Sequence, residues 1–332
     1  MKKIIFLAHD PGGYDVILPV VQKLQQSVAL NFYCVGPAAR HDALYSASEA
    51  EVIQKLHSLL HTESLLGLVT GTSWGNDFEL QMIAACKAAK VPTISILDYW
   101  TNYQTRFKNE LGQLIYPDYY VVMDSIAARE AVQAGVPSGI IKVLGHPGLD
   151  QYVILPRKRS NLAEARKKIL FLSQPLSNLY GSDLGYTEQQ VIEDCLRMFC
   201  SHDNYIFHIK FHPKDNADFQ QQYSNFAVQG NITELISAHD VIIGMNTMGL
   251  LHAVLMGIPS ISYQPNLCKA DMCITNKLGL TKLIHSYNEL KALFDCDTIA
   301  QNNNNIYSQD NLIWVDGLST ERVAGFIREV LL

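Results

Sequence analysis

The sequence predicts an α/β protein of two Rossmann-like, doubly wound domains that face a central cleft. Three observations predict it. Short, wholly apolar runs are each followed by a loop with Gly or Asp and then by a helix-period stretch, which is the alternation of a covered parallel sheet. That alternation restarts once, after a polar and basic segment. A chain of 332 residues also exceeds the usual size of a single hydrophobic core, so two domains of about 150 residues each are expected.

Residues 3–8 are apolar on both faces, as a parallel strand between helices must be, and Val16, Ile17, Val20, Val21 and Leu24 then recur with helical spacing. Further strands are expected at 28–35, 66–70, 93–97, 119–123 and 141–144. After Gly145-His146-Pro147-Gly148 the chain becomes polar and basic. The first domain is therefore placed at 1–155, a linker at 156–168 and the second domain at 169–332. In the second half, strands are expected at 169–172, 206–211, 241–243 and 260–262. Thr187 with Gln190 reads as a helix-opening capping box, followed by the stripe Val191, Ile192, Cys195, Leu196 and Phe199. Helices are expected at 233–238 and 248–256, a low-complexity loop at 302–305, and a closing helix at 320–332 with Val323, Phe326, Ile327, Val330 and Leu331 on one face.

Hydrophobic residues make up 48% of the chain and charged ones 17%, the profile of a globular enzyme and not of a disordered chain. A net charge of -6 offers no broad positive field, and the basic run around Arg157 to Lys168 is short and interrupted, so no nucleic-acid partner is expected. The apolar run after Met1-Lys2-Lys3 meets His9-Asp10-Pro11 too soon for a signal peptide. No stretch reaches the roughly 18–20 apolar residues of a membrane span, so a cytoplasmic protein with at most peripheral membrane contact is expected. The seven cysteines are scattered without a C-x-x-C pair and read as reduced structural thiols.

Two open parallel sheets turn the carboxyl ends of their strands toward a shared crevice, and the candidate residues sit at such ends. His9-Asp10-Pro11-Gly12-Gly13 places two titratable groups and two glycines at the first strand-to-helix turn, where a general base for a sugar hydroxyl would stand; a plain tight turn is the competing reading. Thr72 and Ser73 follow the third strand. Asp98, Trp100, Tyr103 and Arg106 follow the fourth, where they suit a sugar ring or a base, or else form an aromatic packing cluster. In the second half, Lys210 and His212 end a strand at Pro213. Asn246, Thr247, Met248 and Gly249 open a helix whose free N–H groups and dipole suit a phosphate. His146, Ser173, His252 and Gln264 complete the residues expected to line the cleft. His57 and His61 lie four apart but lack a third ligand, and Asp295-Cys296-Asp297 follows an amphipathic helix instead of a buried strand, so no metal site is expected.

In this order the motifs resemble the GT-B superfamily of nucleotide-sugar enzymes, in the branch holding UDP-N-acetylglucosamine 2-epimerases, CDP-glycerol glycerophosphotransferases and capsule-type glycosyltransferases. Pro117 to Gly135 and Ile141 to Asp150 resemble the strand, helix and G-x-P-x-x-D exit of the first domain. Lys210-Phe211-His212-Pro213 resembles the H-P motif, whose His meets the donor phosphate, and Ala238 to Pro259 resembles the donor-phosphate helix. The resemblance implies a metal-independent glycosyltransferase of polysaccharide biosynthesis with no cofactor beyond its co-substrate, a nucleotide-activated sugar. His212, Lys210 and Asn246 to Gly249 would hold the donor phosphate. Asp10, His9 or Asp98 would deprotonate the acceptor, with Gly12, Gly13, Thr72, Ser73, Trp100, Tyr103 and Arg106 on the side of a glycan, lipid-linked or small-molecule acceptor. Two departures stand out. His252 replaces the acidic residue that holds the donor ribose, and Leu97 to Asn102 replaces the acidic H-x-E-x-G type segment of the epimerases, which argues against 2-epimerase chemistry. A nucleotide-sugar epimerase or hydrolase, and a non-catalytic binding protein on the same scaffold, are the alternatives.

Overall fold

The computed structural model describes residues 2–40, 42–153, 166–295 and 312–332. The chain divides into two units, Met1–Ile154 with Gln309–Leu332, and Leu155–Ser308. In the first, β1 (Lys3–Ala8), β2 (Leu30–Cys34), β3 (Leu65–Thr70), β4 (Thr93–Ile96), β5 (Tyr119–Val122) and β6 (Ile141–Val143) form one parallel sheet in the order β2-β1-β3-β4-β5-β6. Helices α1 (Pro11–Leu24), α2 (Glu49–His61), α3 (Phe78–Ala88), α4 (Ser125–Gln133) and α5 (Asp150–Val153) alternate with the strands. Every residue of β4, and all but the first of β1, is buried, which is why these runs carry no polar alternation.

The chain leaves β1 for β2 on one side and returns to β3 on the other, so strand order reverses between β1 and β3. Such a reversal opens a crevice at the strand carboxyl ends, where ligands of open α/β sheets bind. The second unit repeats the device. Its strands β7 (Lys167–Leu172), β8 (Tyr205–Lys210), β9 (Val241–Gly244), β10 (Ser260–Tyr263) and β11 (Leu283–Ile284) run parallel in the order β11-β10-β9-β7-β8, with the reversal between β7 and β9. Its helices are α6 (Leu176–Tyr180), α7 (Glu188–Phe199), α8 (Ala217–Gln222), α9 (Ile232–Ser237), α10 (Met248–Leu255), α11 (Ile274–Lys277) and α12 (Tyr287–Asp295). Thr187 caps α7 by accepting the N–H of Gln190, as its sequence position implies. Strand β7 starts two residues before the expected Ile169, and the expected linker up to residue 165, the loop at 302–305, and Cys296 and Asp297 lie outside the described residues.

The closing helix is the main correction to the domain plan. Expected in the second domain, Ser319–Leu331 belongs to the first unit. Its buried Val323, Ala324, Ile327 and Leu331 pack with β1 and α1 residues such as Ile4, Phe6, Ile17 and Val20. Its anchor is the G-H-P-G-L-D segment. Asp150 accepts the N–H groups of Ser319 (3.1 Å) and Thr320 (2.7 Å), two donors that a helix start leaves unpaired, and Arg322 donates to the Leu144 carbonyl (2.9 Å). Gly145, at φ +100°, makes room for Ser319, since a Cβ there would sit 2.4 Å from its Oγ. Pro19 inside α1 has no N–H for the carbonyl of Asp15, and Gly148 packs against that carbonyl, where a Cβ would approach to 2.8 Å.

Candidate functional site

Each unit gathers its candidate residues at its own strand-order reversal. In the first, the loops after β1 and β3 approach so closely that a Cβ on Gly71 would stand 2.9 Å from the Gly13 Cα. Glu79, in the first turn of α3, ties them together: its Oε1 accepts the His9 N–H (3.3 Å) and its Oε2 the Ser73 N–H (2.8 Å). It is 3% exposed, and burial pushes its carboxyl up to about 7.

His9 and Asp10 form a pair, Nδ1 to Oδ1 at 2.9 Å. A carboxylate only accepts, so Nδ1 carries the proton and Nε2 the lone pair. Nε2 makes no hydrogen bond among the described residues and lies against Gly36, where a Cβ would approach it to 2.5 Å. The hydrogen bond to Asp10 raises the imidazole above its ordinary 6.5, against the opposing pull of burial. A His oriented by a carboxylate, with its second nitrogen unused, is equipped to take a proton.

Asp98 is held differently. Its Oδ1 accepts Arg106 Nη1 at 2.6 Å, and the same Nη1 also donates to the carbonyl and hydroxyl of Thr72. A Cβ on Gly12 would fall 1.9 Å from Asp98 Oδ2, so glycine at this position lets the carboxylate reach the start of α1, where the helix dipole favours it. His146, stacked on Trp100 with ring centroids 6.0 Å apart, donates from Nε2 to the Asp98 carbonyl (3.0 Å), and burial lowers its pKa. Trp100 and Tyr103, expected to face an acceptor, are interior side chains instead. Trp100 donates to Asp124 Oδ2 (2.8 Å), as does Trp314 (3.0 Å), and Tyr103 donates to Glu130 (2.7 Å). The apolar ring area of both is spent on packing.

In the second unit Gln174, just after β7, accepts the N–H of Asn246, just after β9 (3.0 Å), and so spans the reversal. Thr247 caps α10 by accepting the Gly249 N–H (3.2 Å). Gly249 packs on Leu172, which a Cβ would approach to 2.3 Å, so its role is close helix-to-strand packing. Asp215 accepts the His212 N–H (2.8 Å), and His212 Nδ1 accepts that of Lys214 (3.1 Å), which leaves Nε2–H as a donor with no partner among the described residues. Burial lowers the His212 imidazole from its ordinary 6.5, which favours the neutral ring. Ser173 is buried nearby, its hydroxyl close to Asp215; Lys210, Met248 and His252 are half-buried. Gln264 is a correction: both ends of its carboxamide are used, by Tyr186, Ser262 and Asp271, in a polar network beneath β10.

His57 and His61 are exposed on α2, and no group of three metal-ligating side chains occurs among the described residues. No described helix is long and apolar enough to cross a membrane. Glu79, Asp215 and Gln174 were not foreseen. Asp215 reaches back three residues to the His212 N–H within H-P-K-D, a local pattern the sequence could have offered, whereas a Glu in a first helical turn reads only as a dipole partner.

A scan against protein-family models and a search of curated proteins return no match. Solved structures do match over the whole chain. UDP-GlcNAc 2-epimerase from Neisseria meningitidis bound to UDP-GlcNAc is 13% identical, with 99% of this chain and 100% of that one covered at a TM-score of 0.69. The glycotransferase of kitacinnamycin is 12% identical, with 100% and 99% covered at 0.64. The wall teichoic acid polymerase TagF is 14% identical, with 99% and 88% covered at 0.59. The chain has a GT-B fold. At these identities the likeness is one of fold, and a GT-B scaffold carries several chemistries, so the reaction has to be argued from the residues.

Proposed function

We propose that this GT-B chain is a nucleotide-sugar enzyme, and specifically a glycosyltransferase that moves a sugar or sugar-like group from a nucleotide-activated donor to an acceptor hydroxyl. The observation that carries the reading is the His9–Asp10 pair at the strand-order reversal of the first unit. In the proposed step His9 Nε2 takes the acceptor's hydroxyl proton, with Asp10 stabilising the imidazolium that forms. The acceptor oxygen bonds to the anomeric carbon while the bond from that carbon to the donor phosphate breaks. In the second unit the start of α10 and His212 Nε2–H meet the charge that develops on the leaving phosphate. Asp98, engaged by Arg106, positions the start of α1 and leaves proton transfer to His9.

The number of 2-epimerases among the matching structures favours a second reading, in which the same donor is epimerised or hydrolysed. Donor turnover separates the two. Incubation with nucleotide-sugars, with and without a mixed glycan and polyol acceptor pool, is expected to release nucleotide only when acceptor is present. Release from donor alone, or interconversion of the donor sugar, supports the second reading, and binding without turnover supports a scaffold that lost catalysis.

A further inference from the structure

Trp74 is the one tryptophan of the three that is open to solvent: it is 65% exposed, whereas Trp100 and Trp314 are 2% and 0%. Its backbone N–H donates to Asp10 Oδ2 (3.4 Å), which ties it to the His9–Asp10 pair. Its chain neighbours Ser73 and Gly75 line a cavity of about 170 Å³, together with Asn76, Asp77, Arg106 and Lys108. At ~30 Å³ per water this is the space of five or six waters, the scale of one sugar ring.

Two buried groups at this cavity have unused capacity. The Ser73 hydroxyl, near the Glu79 carboxyl, forms no hydrogen bond of good geometry. Arg106 spends Nη1 and Nε on Asp98, Thr72 and Thr101, and its Nη2 has no partner among the described residues. For the buried Ser73 hydroxyl this lack of a partner is costly unless a ligand satisfies it. The charges point away from an anion: Arg106 and Lys108 are balanced by Asp77 and Glu110 in the same lining, and Arg106 is already paired with Asp98. Mixed donors and acceptors without net charge suit a neutral polyhydroxyl ring, and the exposed Trp74, between the lining residues Ser73 and Gly75 in the chain, supplies an aromatic face within reach.

We infer that Trp74 and this cavity form a saccharide subsite, with a neutral sugar unit stacked on the indole and its hydroxyls met by Ser73 Oγ and Arg106 Nη2. The inference rests on the reading of the first unit as the acceptor side, and names the acceptor class as a neutral glycan.

Because Trp100 and Trp314 are buried, acrylamide-quenchable fluorescence of the intact chain reports Trp74. Neutral trisaccharides built on glucose, galactose and N-acetylglucosamine are titrated alongside uronic-acid-containing and sulfated counterparts. At least one neutral class is expected to protect Trp74 from acrylamide. Trp74→Ala should weaken its binding by calorimetry on the order of tenfold, while Trp74→Phe, which keeps a stacking face, stays within about threefold of the parent chain. No protection by any neutral saccharide, protection by acidic ones only, or unchanged binding by Trp74→Ala overturns the inference. Nucleotide-sugar binding measured on the same sample keeps the two readings apart. Nucleotide bound without saccharide protection removes the subsite alone, and saccharide protection without nucleotide binding keeps the subsite and removes the transferase.

Discussion

Glu79→Gln probes the junction that holds the candidate base. The Glu79 carboxyl is pushed up to about 7 from 4.5, chiefly by burial, against the two backbone N–H groups it accepts. For an acid with a raised folded-state pKa, the native protein keeps a proton that the unfolded chain has lost. Its contribution is fully present below the unfolded value of 4.5 and is lost as pH rises through about 7. At ~1.36 kcal/mol per unit, that interval corresponds to about 3 kcal/mol. His9, also raised, contributes with the same sign, since its stabilisation fades as pH climbs from 6.5 through the folded value. The Gln variant lacks the Glu79 part. Urea unfolding followed by tryptophan fluorescence is the assay, and it reports the first unit because Trp74, Trp100 and Trp314 all lie there. In the variant one of the two N–H groups faces an amide NH2 that cannot accept, a cost that does not vary with pH, so the slope is the test: relative to the variant, the parent should lose about 3 kcal/mol of stability between pH 4.5 and pH 8. Parallel curves across that range would refute the reasoning, since they would mean that Glu79 folds ionised and its two N–H bonds outweigh burial.

Gly12→Ala drives a methyl into Asp98 Oδ2 and should destabilise the first unit by about 1–3 kcal/mol, as overpacking does, along with loss of turnover; unchanged urea midpoints would contradict the close approach. Asp150→Ala removes both caps of the closing helix and should cost about 1–2 kcal/mol, with faster hydrogen exchange across Ser319–Leu331 than in α1; equal exchange would mean that the helix is held by its apolar face alone.

The sheets were legible because strands buried on both faces must be written as unbroken apolar runs, as at Lys3–Ala8 and Val241–Gly244. β11 was not, because two residues carry no period. The closing helix shows why a domain boundary is harder to read than an element. Its apolar stripe declares that one face is buried, but only the caps from Asp150 and the bond from Arg322 to Leu144 say against which sheet. At the site, the structure places His9, Asp10, Gly12 and His212 in loops or helix starts directly after strands, where their local sequence put them. Local signals misled at Trp100 and Tyr103, whose polar atoms are satisfied by Asp124 and Glu130, contacts made 24 and 27 residues along the chain. Glu79 was silent for the same reason, since its partners His9 and Ser73 are brought to it by the β1–β3 reversal.

The most direct test of the central claim is a thermal-shift titration of the intact chain with UDP, CMP, CDP, GDP, dTDP and their common sugar conjugates, repeated on His212→Ala and Thr247→Ala. A ligand that binds only the native state raises the melting temperature with its concentration. One nucleotide and its conjugates are expected to raise the Tm of the parent chain and to lose most of that shift in both variants. Absence of any shift with every nucleotide, or shifts untouched by both substitutions, would contradict a donor site at the start of α10.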